Sequence, residues 1–268
     1  DATIQELYNF PAGSVFEDTF SAVSLESIWF SIVASGIYVL ESLFDAFRED
    51  VDKKIAGAVV ASIPWYHKIA LQFQYGDSLV YDENTQGFVY PVIDTTKQLV
   101  KFAACRDVGG GVYVLVAGAD SNGNPVALSS AVLSAFESYL RECKPAGVLL
   151  TVHSYNPDQV RVVMTVQYDP QILTASGELI VDPSVKPVED AVNGYLRGII
   201  YGGVLNKTKL VDAVQAARGV LDVALDTLSV KPANSANYET VTGNNYQSVG
   251  GAFKSNNLTS GITYVLSL

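Results

Sequence analysis

The side chains able to do chemistry near neutral pH are few. The chain holds two histidines, His67 and His153, the residue type most often used to move protons in catalysis. His67 stands in Trp65-Tyr-His-Lys at the start of a predicted helix, and His153 stands in an alternating strand. Both read as structural. Cys105 and Cys143 are far apart and belong to no CxxC or Cys/His cluster, so they encode neither a disulfide framework nor a zinc site. Reduced, buried thiols are expected. No GxSxG motif occurs, and no serine has a paired base in a recognisable pattern.

Gly109, Gly110 and Gly111 follow a strand, as a phosphate-binding turn would. A strand rather than a helix comes next, and no Lys-Ser/Thr closes the motif, so a hairpin turn is expected. The carboxylate pairs Asp45 with Glu49, and Glu189 with Asp190, lack the histidine or Gly-Asp patterns that fix a metal and read as solvated helix faces. These residues assign no catalytic, cofactor-binding or metal-ligating role. No enzyme activity and no cofactor are expected.

The elements that would position any site fall into an α+β arrangement. It comprises a helical N-terminal region with short strands (1–98), a first α+β module (99–156), a second (157–230) and an Asn/Ser/Gly-rich C-terminal arm (231–268). Apolar residues from Leu25 through Ile28, Ile32, Leu40, Phe44 and Phe47 to Val59 recur mostly at steps of three and four, the mark of an amphipathic helix. That helix is expected over Ser24 to Ile63, with Ser24 as its cap, Pro64 as its end and a possible break near Gly36. A short helix from Trp65 to Gln74 stops at Gly76.

The period then changes to that of strands. Leu99 to Cys105 and Val112 to Ala117 form a hairpin, Ser129 or Ser130 caps a helix that Pro145 and Gly147 stop, and Val148 to Tyr155 returns as a strand. In the second module Val160 to Tyr168 alternates, with Val163 as the exception. Asp182 or Ser184 opens one helix and Thr208 another, and Val220 to Leu228 closes the unit. Lys144-Pro-Ala-Gly-Val and Ala217-Arg-Gly-Val repeat a helix end that feeds directly into a strand, which favours two modules in series. The arm has a possible last strand over 261–268, and its order is expected to depend on neighbours.

Composition narrows the function classes. Hydrophobic residues make up 49% and charged residues 17%, with a formal net charge of −11. That field repels polyanions, so nucleic acid is not an expected partner. The longest uncharged apolar stretch, between Glu26 and Glu41, is shorter than the roughly 20 residues of a membrane span. A buried or subunit-facing helix is expected there, with no membrane insertion and no small-molecule substrate. Asp1 in the first position suggests trimming of the N-terminus.

The order of elements from Val112 to Leu228 carries a family resemblance. Val112-Tyr-Val-Leu-Val-Ala-Gly, the helix Ser129 to Glu142, Lys144-Pro-Ala-Gly-Val-Leu-Leu-Thr-Val and Val160-Arg-Val-Val-Met-Thr-Val resemble the central part of baseplate J-like proteins. Val185 to Tyr195, then Gly202-Gly-Val-Leu, Thr208-Lys-Leu-Val-Asp-Ala-Val and Gly219-Val-Leu-Asp-Val are similar to that family's C-terminal module. The resemblance implies a structural wedge subunit of a phage tail or phage-like contractile injection system. Its partners would be other baseplate and tail proteins and copies of itself. It would reside in the virion tail or phage-like particle, assembled in the bacterial cytoplasm. The expected interface residues are Ile28, Trp29, Ile32, Leu40, Phe44 and Phe47. The alternative is a tail-associated receptor or carbohydrate-binding module, with Tyr238, Tyr246 and Tyr264 as candidate ligand-facing aromatics.

Overall fold

The computed structural model describes residues 25–57, 61–83 and 87–266. The fold is mixed α+β, as the periodicities predict. Among the described residues, 25–57 with 82–83 form one compact unit, and 61–81 with 87–266 form another.

The first unit is dominated by helix α1, Leu25–Gly57, which runs unbroken through Gly36. Helix α2 follows at Ile63–Gln72. Pro64 therefore does not end the long helix but stands in the first turn of the next. Ser62 is the N-cap there, and an imino nitrogen at that position forfeits no intrahelical hydrogen bond. The expected cap Ser24 lies outside the described residues, and the expected end at Ile63 is instead the first residue of α2. A short hairpin, β1 (Val80–Asp82) and β2 (Gly87–Val89), follows α2.

The first module is the expected β-β-α-β unit. Strands β3 (Phe102–Val108) and β4 (Gly111–Ala119) pair antiparallel, with the short β5 (Pro125–Val126) beside β4. Helix α3 (Ser130–Cys143) leads to β6 (Leu149–His153), which pairs parallel to β4. Ser129 caps α3 by accepting a hydrogen bond from the Val132 N–H, satisfying one of the helix's free donors. The core joins Val114 and Val116 of β4 to Val132, Phe136, Tyr139 and Leu140 of α3. Tyr66, Ile69, Ala70 and Phe73 complete it, so α2 packs with this module although the sequence groups it with 1–98. Phe73 meets Phe136 edge to face at 5.3 Å, and the Tyr139 hydroxyl donates to the Ile69 carbonyl at 2.9 Å. Buried Gln74 holds the loop beyond α2: its amide donates to Asp77 and the Val92 carbonyl, and its oxygen accepts from the Asp94 N–H.

The second module is built on β7, Asp158–Tyr168, whose residues alternate between buried and accessible positions. Helix α4 (Pro187–Gly198), strand β8 (Val204–Asn206) and helix α5 (Lys207–Gln215) lead to β9 (Val220–Lys231), which pairs antiparallel to β7. Val163 points to the accessible face, and the β7–β9 register shifts immediately after it. The sequence starts the first of these helices at Asp182 or Ser184. The structure starts it five or three residues later, because Asp182 and Ser184 close a turn of their own. The Ser184 N–H and hydroxyl both donate to Asp182 Oδ1, and Pro187 then supplies the pre-set first-turn φ.

Residues beyond 231 are woven into this second sheet. Strand β10 (Glu239–Thr240) pairs with β9, and β11 (Asn245–Gln247) pairs with β8. Strand β12 (Phe253–Ser255), the short helix α6 (Leu258–Gly261) and β13 (Ile262–Leu266) run in sequence along β7, both strands parallel to it. Between them the Asn257 side chain takes the place of a strand: its oxygen accepts from the Val162 N–H at 2.9 Å and its NH2 donates to the Val162 carbonyl at 3.1 Å. Val241, Phe253, Leu258 and Ile262 enter the core formed by β7, β9, α4 and α5.

Asp158 anchors this weave. It is fully buried. Its Oδ1 accepts from the Ala233 and Gly250 N–H groups at 2.7 and 3.0 Å, and its Oδ2 accepts from the Ser248 hydroxyl and the Val249 N–H at 2.9 and 2.8 Å. All four donors lie beyond residue 231. Farther along, a Cβ on Gly261 would stand 2.0 Å from the Val162 carbonyl oxygen, a backbone atom that cannot move aside.

Asp158→Asn turns an amide NH2 toward groups that are themselves donors. It should lower stability by about 2–4 kcal/mol in urea titrations, as expected for losing hydrogen bonds to a buried charge. A change below about 0.5 kcal/mol, the range of an ordinary surface substitution, would show that the nest does not anchor the arm. Gly261→Ala should shift the urea midpoint in the same direction, and amide exchange should speed up first in 253–266.

Candidate functional site

The residues that chemistry would need do not converge. His67 is exposed on α2, whereas Tyr66, Ile69 and Ala70 of that helix face the core. His153 lies at the end of β6, stacked on Tyr155 at 5.3 Å and tilted against Tyr113 at 5.4 Å; its Nδ1 and the Tyr155 hydroxyl are 3.2 Å apart. That is a packed aromatic cluster with no carboxylate among these contacts. Gly109 and Gly110 are the two loop residues of the β3–β4 hairpin, and both have positive φ, +59° and +89°. This pattern matches strand twist in a two-residue turn and is strained for residues with a Cβ.

Asp45 and Glu49 ride on the exposed surface of α1. Glu189 and Asp190 occupy the first turn of α4, where negative charge complements the helix dipole. Glu189 accepts from Lys186 Nζ and from the Thr259 hydroxyl, both at 3.4 Å. Among the described residues, no group of three or more His, Cys, Asp or Glu is arranged to hold a metal ion.

The expected interface residues share one surface. At about 100° per residue, Ile28, Trp29, Ile32, Leu40, Leu43, Phe44 and Phe47 cover roughly 160° of α1. Ser31, Ser42, Asp45 and Glu49 lie on the opposite side. Trp29, Ile32, Phe44 and Phe47 are 63%, 62%, 62% and 66% exposed. The helix is about 50 Å long at 1.5 Å per residue. By length and composition alone, its Ser27–Asp52 segment is apolar enough to cross a membrane. The charges from Glu41 onward interrupt that segment, and a polar strip runs beside the apolar arc.

The tyrosines of the arm do not form a common groove. The Tyr238 hydroxyl donates to Gln159 and its ring lies 3.8 Å from the Arg161 guanidinium carbon, whereas Tyr246 packs on Phe253 and Tyr264 on Tyr168. Each is spent on holding the arm to the second sheet.

A cleft that sequence patterns do not reveal lies between the two modules. It encloses about 810 Å3 and is lined by Phe102, Asn156, Asn193, Arg197, Tyr201 and Lys254 among others. Phe102 and Tyr201 pack against each other at 5.6 Å. Asn193 and Arg197 are one turn apart on α4, and Lys254 stands opposite Gln159 in the β12–β7 pairing. Burial raises the Tyr201 hydroxyl pKa well above the usual phenol range, so it stays protonated. These residues come from four segments separated by 30 to 50 positions or more, and no periodicity links them.

No protein-family model matches the chain, and no curated protein shows significant similarity to it.

Cys105 and Cys143 are half-buried, and burial pushes both thiols up to about 11. The thiolate is the reactive form, so at pH 8 an aromatic disulfide reagent should label the folded protein about 100-fold more slowly than the urea-unfolded chain. Labelling should accelerate as pH rises toward that value. Equal rates in both states would restore a reactive-cysteine reading.

Proposed function

We propose that this chain is a non-enzymatic assembly subunit, a baseplate wedge protein of a phage tail or phage-like contractile injection system. Its helix α1 joins it to copies of itself and to neighbouring tail proteins. The resemblance of the 112–228 segment supplies the family. The observation that carries the assembly role is the apolar face of α1, which has no cover among the described residues.

Magnitudes favour a protein partner on that face. Trp29, Phe44 and Phe47, each about two thirds exposed, offer roughly 300–500 Å2 among them. With Ile28, Ile32, Leu40 and Leu43 added, the face approaches the roughly 800 Å2 that each partner contributes to a standard interface. Isolated soluble domains rarely leave a contiguous apolar area of that size uncovered. The opposite side carries Ser31, Ser42, Asp45 and Glu49 together with Tyr38, a mixed face that contrasts with the uniformly apolar positions of the arc. A second copy satisfies this geometry because symmetric association sets identical apolar arcs against one another.

Light scattering behind a sizing column should show concentration-dependent oligomers of the full chain. The double substitution Ile32→Glu/Phe44→Glu should return the monomer without changing the urea midpoint of the second unit. Flotation with phosphatidylcholine and phosphatidylglycerol vesicles provides the competing outcome. A chain that is monomeric at every concentration and floats with vesicles through α1 would overturn the assembly reading in favour of a membrane anchor.

A further inference from the structure

We propose that the cleft between the two modules binds an acidic oligosaccharide, with Arg197 and Lys254 receiving its carboxylate and Phe102 flanking a sugar ring. The inference is independent of the assembly role of α1 and rests on how the lining groups are already used.

Both lining amides are held by one hydrogen bond each. Asn193 Oδ1 accepts from the Ser255 hydroxyl at 2.7 Å, and Asn156 Oδ1 accepts from the Ala127 N–H at 3.2 Å. The Ala127 N–H, a donor only, fixes the Asn156 oxygen and leaves its NH2 without a protein partner among the described residues, whereas the Ser255 hydroxyl can donate or accept, so Asn193 can turn either its NH2 or its oxygen to the cleft. Arg197 and Lys254 are exposed, and neither makes an ion pair with a described carboxylate. Asp120, the acidic group in the lining, is occupied: it accepts from the Asn122 and Asn124 N–H groups at 2.8 Å and from the Asn124 amide at 3.1 Å. Those bonds, with a smaller contribution from the Lys254 charge, hold its carboxyl below the usual range, so it is ionised at neutral pH and its acceptor sites are largely filled.

The cleft therefore presents three donors, two of them cationic, and the adaptable Asn193 amide, beside one carboxylate, Asp120. A ligand rich in acceptors fits it. The partial aromatic wall of Phe102 and Tyr201 offers a flat apolar face of the kind that sugar C–H groups cover. The volume lies within the range of small-ligand sites and admits two or three sugar rings. The chain's net charge of −11 disfavours ligands with closely spaced multiple charges, such as nucleic acid or polyphosphate. One carboxylate per sugar ring meets the two cations without the charge density of a phosphate backbone.

Isothermal titration of the full chain with tetragalacturonate and with sialyllactose should show binding of at least one of them, with maltotetraose and inorganic phosphate much weaker. Arg197→Gln and Lys254→Gln, both exposed positions whose replacement leaves the fold intact, should each weaken binding roughly tenfold, the scale of one charge-assisted hydrogen bond. Asn193→Ala should also weaken it, and the unfolding midpoint of each variant checks that the fold is retained. Absence of binding to both acidic probes at 10-mM-order concentrations, roughly the weakest regime in which a specific small-ligand site registers, would overturn the proposal. So would equal binding of phosphate or maltotetraose, or binding that the Arg197 and Lys254 variants leave unchanged.

Discussion

The constraint on which the second module depends is the burial of the Asp158 carboxylate, which forms no ion pair among the described residues. An unpaired charge in a dry site is very costly unless donors surround it. Here three backbone N–H groups and one hydroxyl do so. Because these donors come from Ala233 and from 248–250, the chain after β9 must return twice to the start of β7. The second return delivers β12 to the β7 edge, since the Asp158 N–H also donates to the Ala252 carbonyl at 2.8 Å. Asn257 and β13 then continue along the same edge. A single carboxylate thus converts a stretch rich in Asn, Ser and Gly, with little apolar content of its own, into the covering edge of a sheet.

Helix α1 has no comparable covering among the described residues. Full burial of one large aliphatic or aromatic side chain contributes about 1.5–3 kcal/mol, and twelve such side chains on α1, from Leu25 to Phe47, remain at or above about half exposure. The contrast with β7 is direct: Val160, Val162, Met164 and Val166 are all fully buried, and the arm supplies part of their cover. Similar apolar content is thus buried along β7 and left exposed along α1.

Much of the fold was legible in the sequence where a period governed it. The β-β-α-β order of the first module, the alternation of β7 with Val163 outward, and the capping of α3 by Ser129 all follow from local pattern and cap chemistry. The misreadings occurred where a residue has two local uses. Pro64 can end a helix or begin one, and Asp182 with Ser184 can cap a helix or close a turn; the choice depends on chain that lies farther on. The arm was illegible for a different reason. Its strands are two to five residues long, too short for a period, and they are fixed by long-range hydrogen bonds to Asp158 and Val162. The exposed helix face was readable as six apolar positions, but their lack of cover could be seen only in three dimensions.

The cleft is a consequence of the same anchor. Asp158 fixes 248–250, and a Cβ on the next residue, Gly251, would meet the Tyr201 ring at 2.4 Å, so Tyr201 packs directly on the anchored backbone. The Gly202 N–H donates to the Gly251 carbonyl at 2.7 Å and ties that wall in place. Three residues after Gly251, Lys254 emerges, and Ser255 holds Asn193. The buried anion therefore organises the cationic lining next to it: its donors are used up internally, while the amide and guanidinium donors at the cleft are left open. Arg197 and Lys254 share this lining with the ionised Asp120, so the cleft offers cationic donors beside one fixed carboxylate.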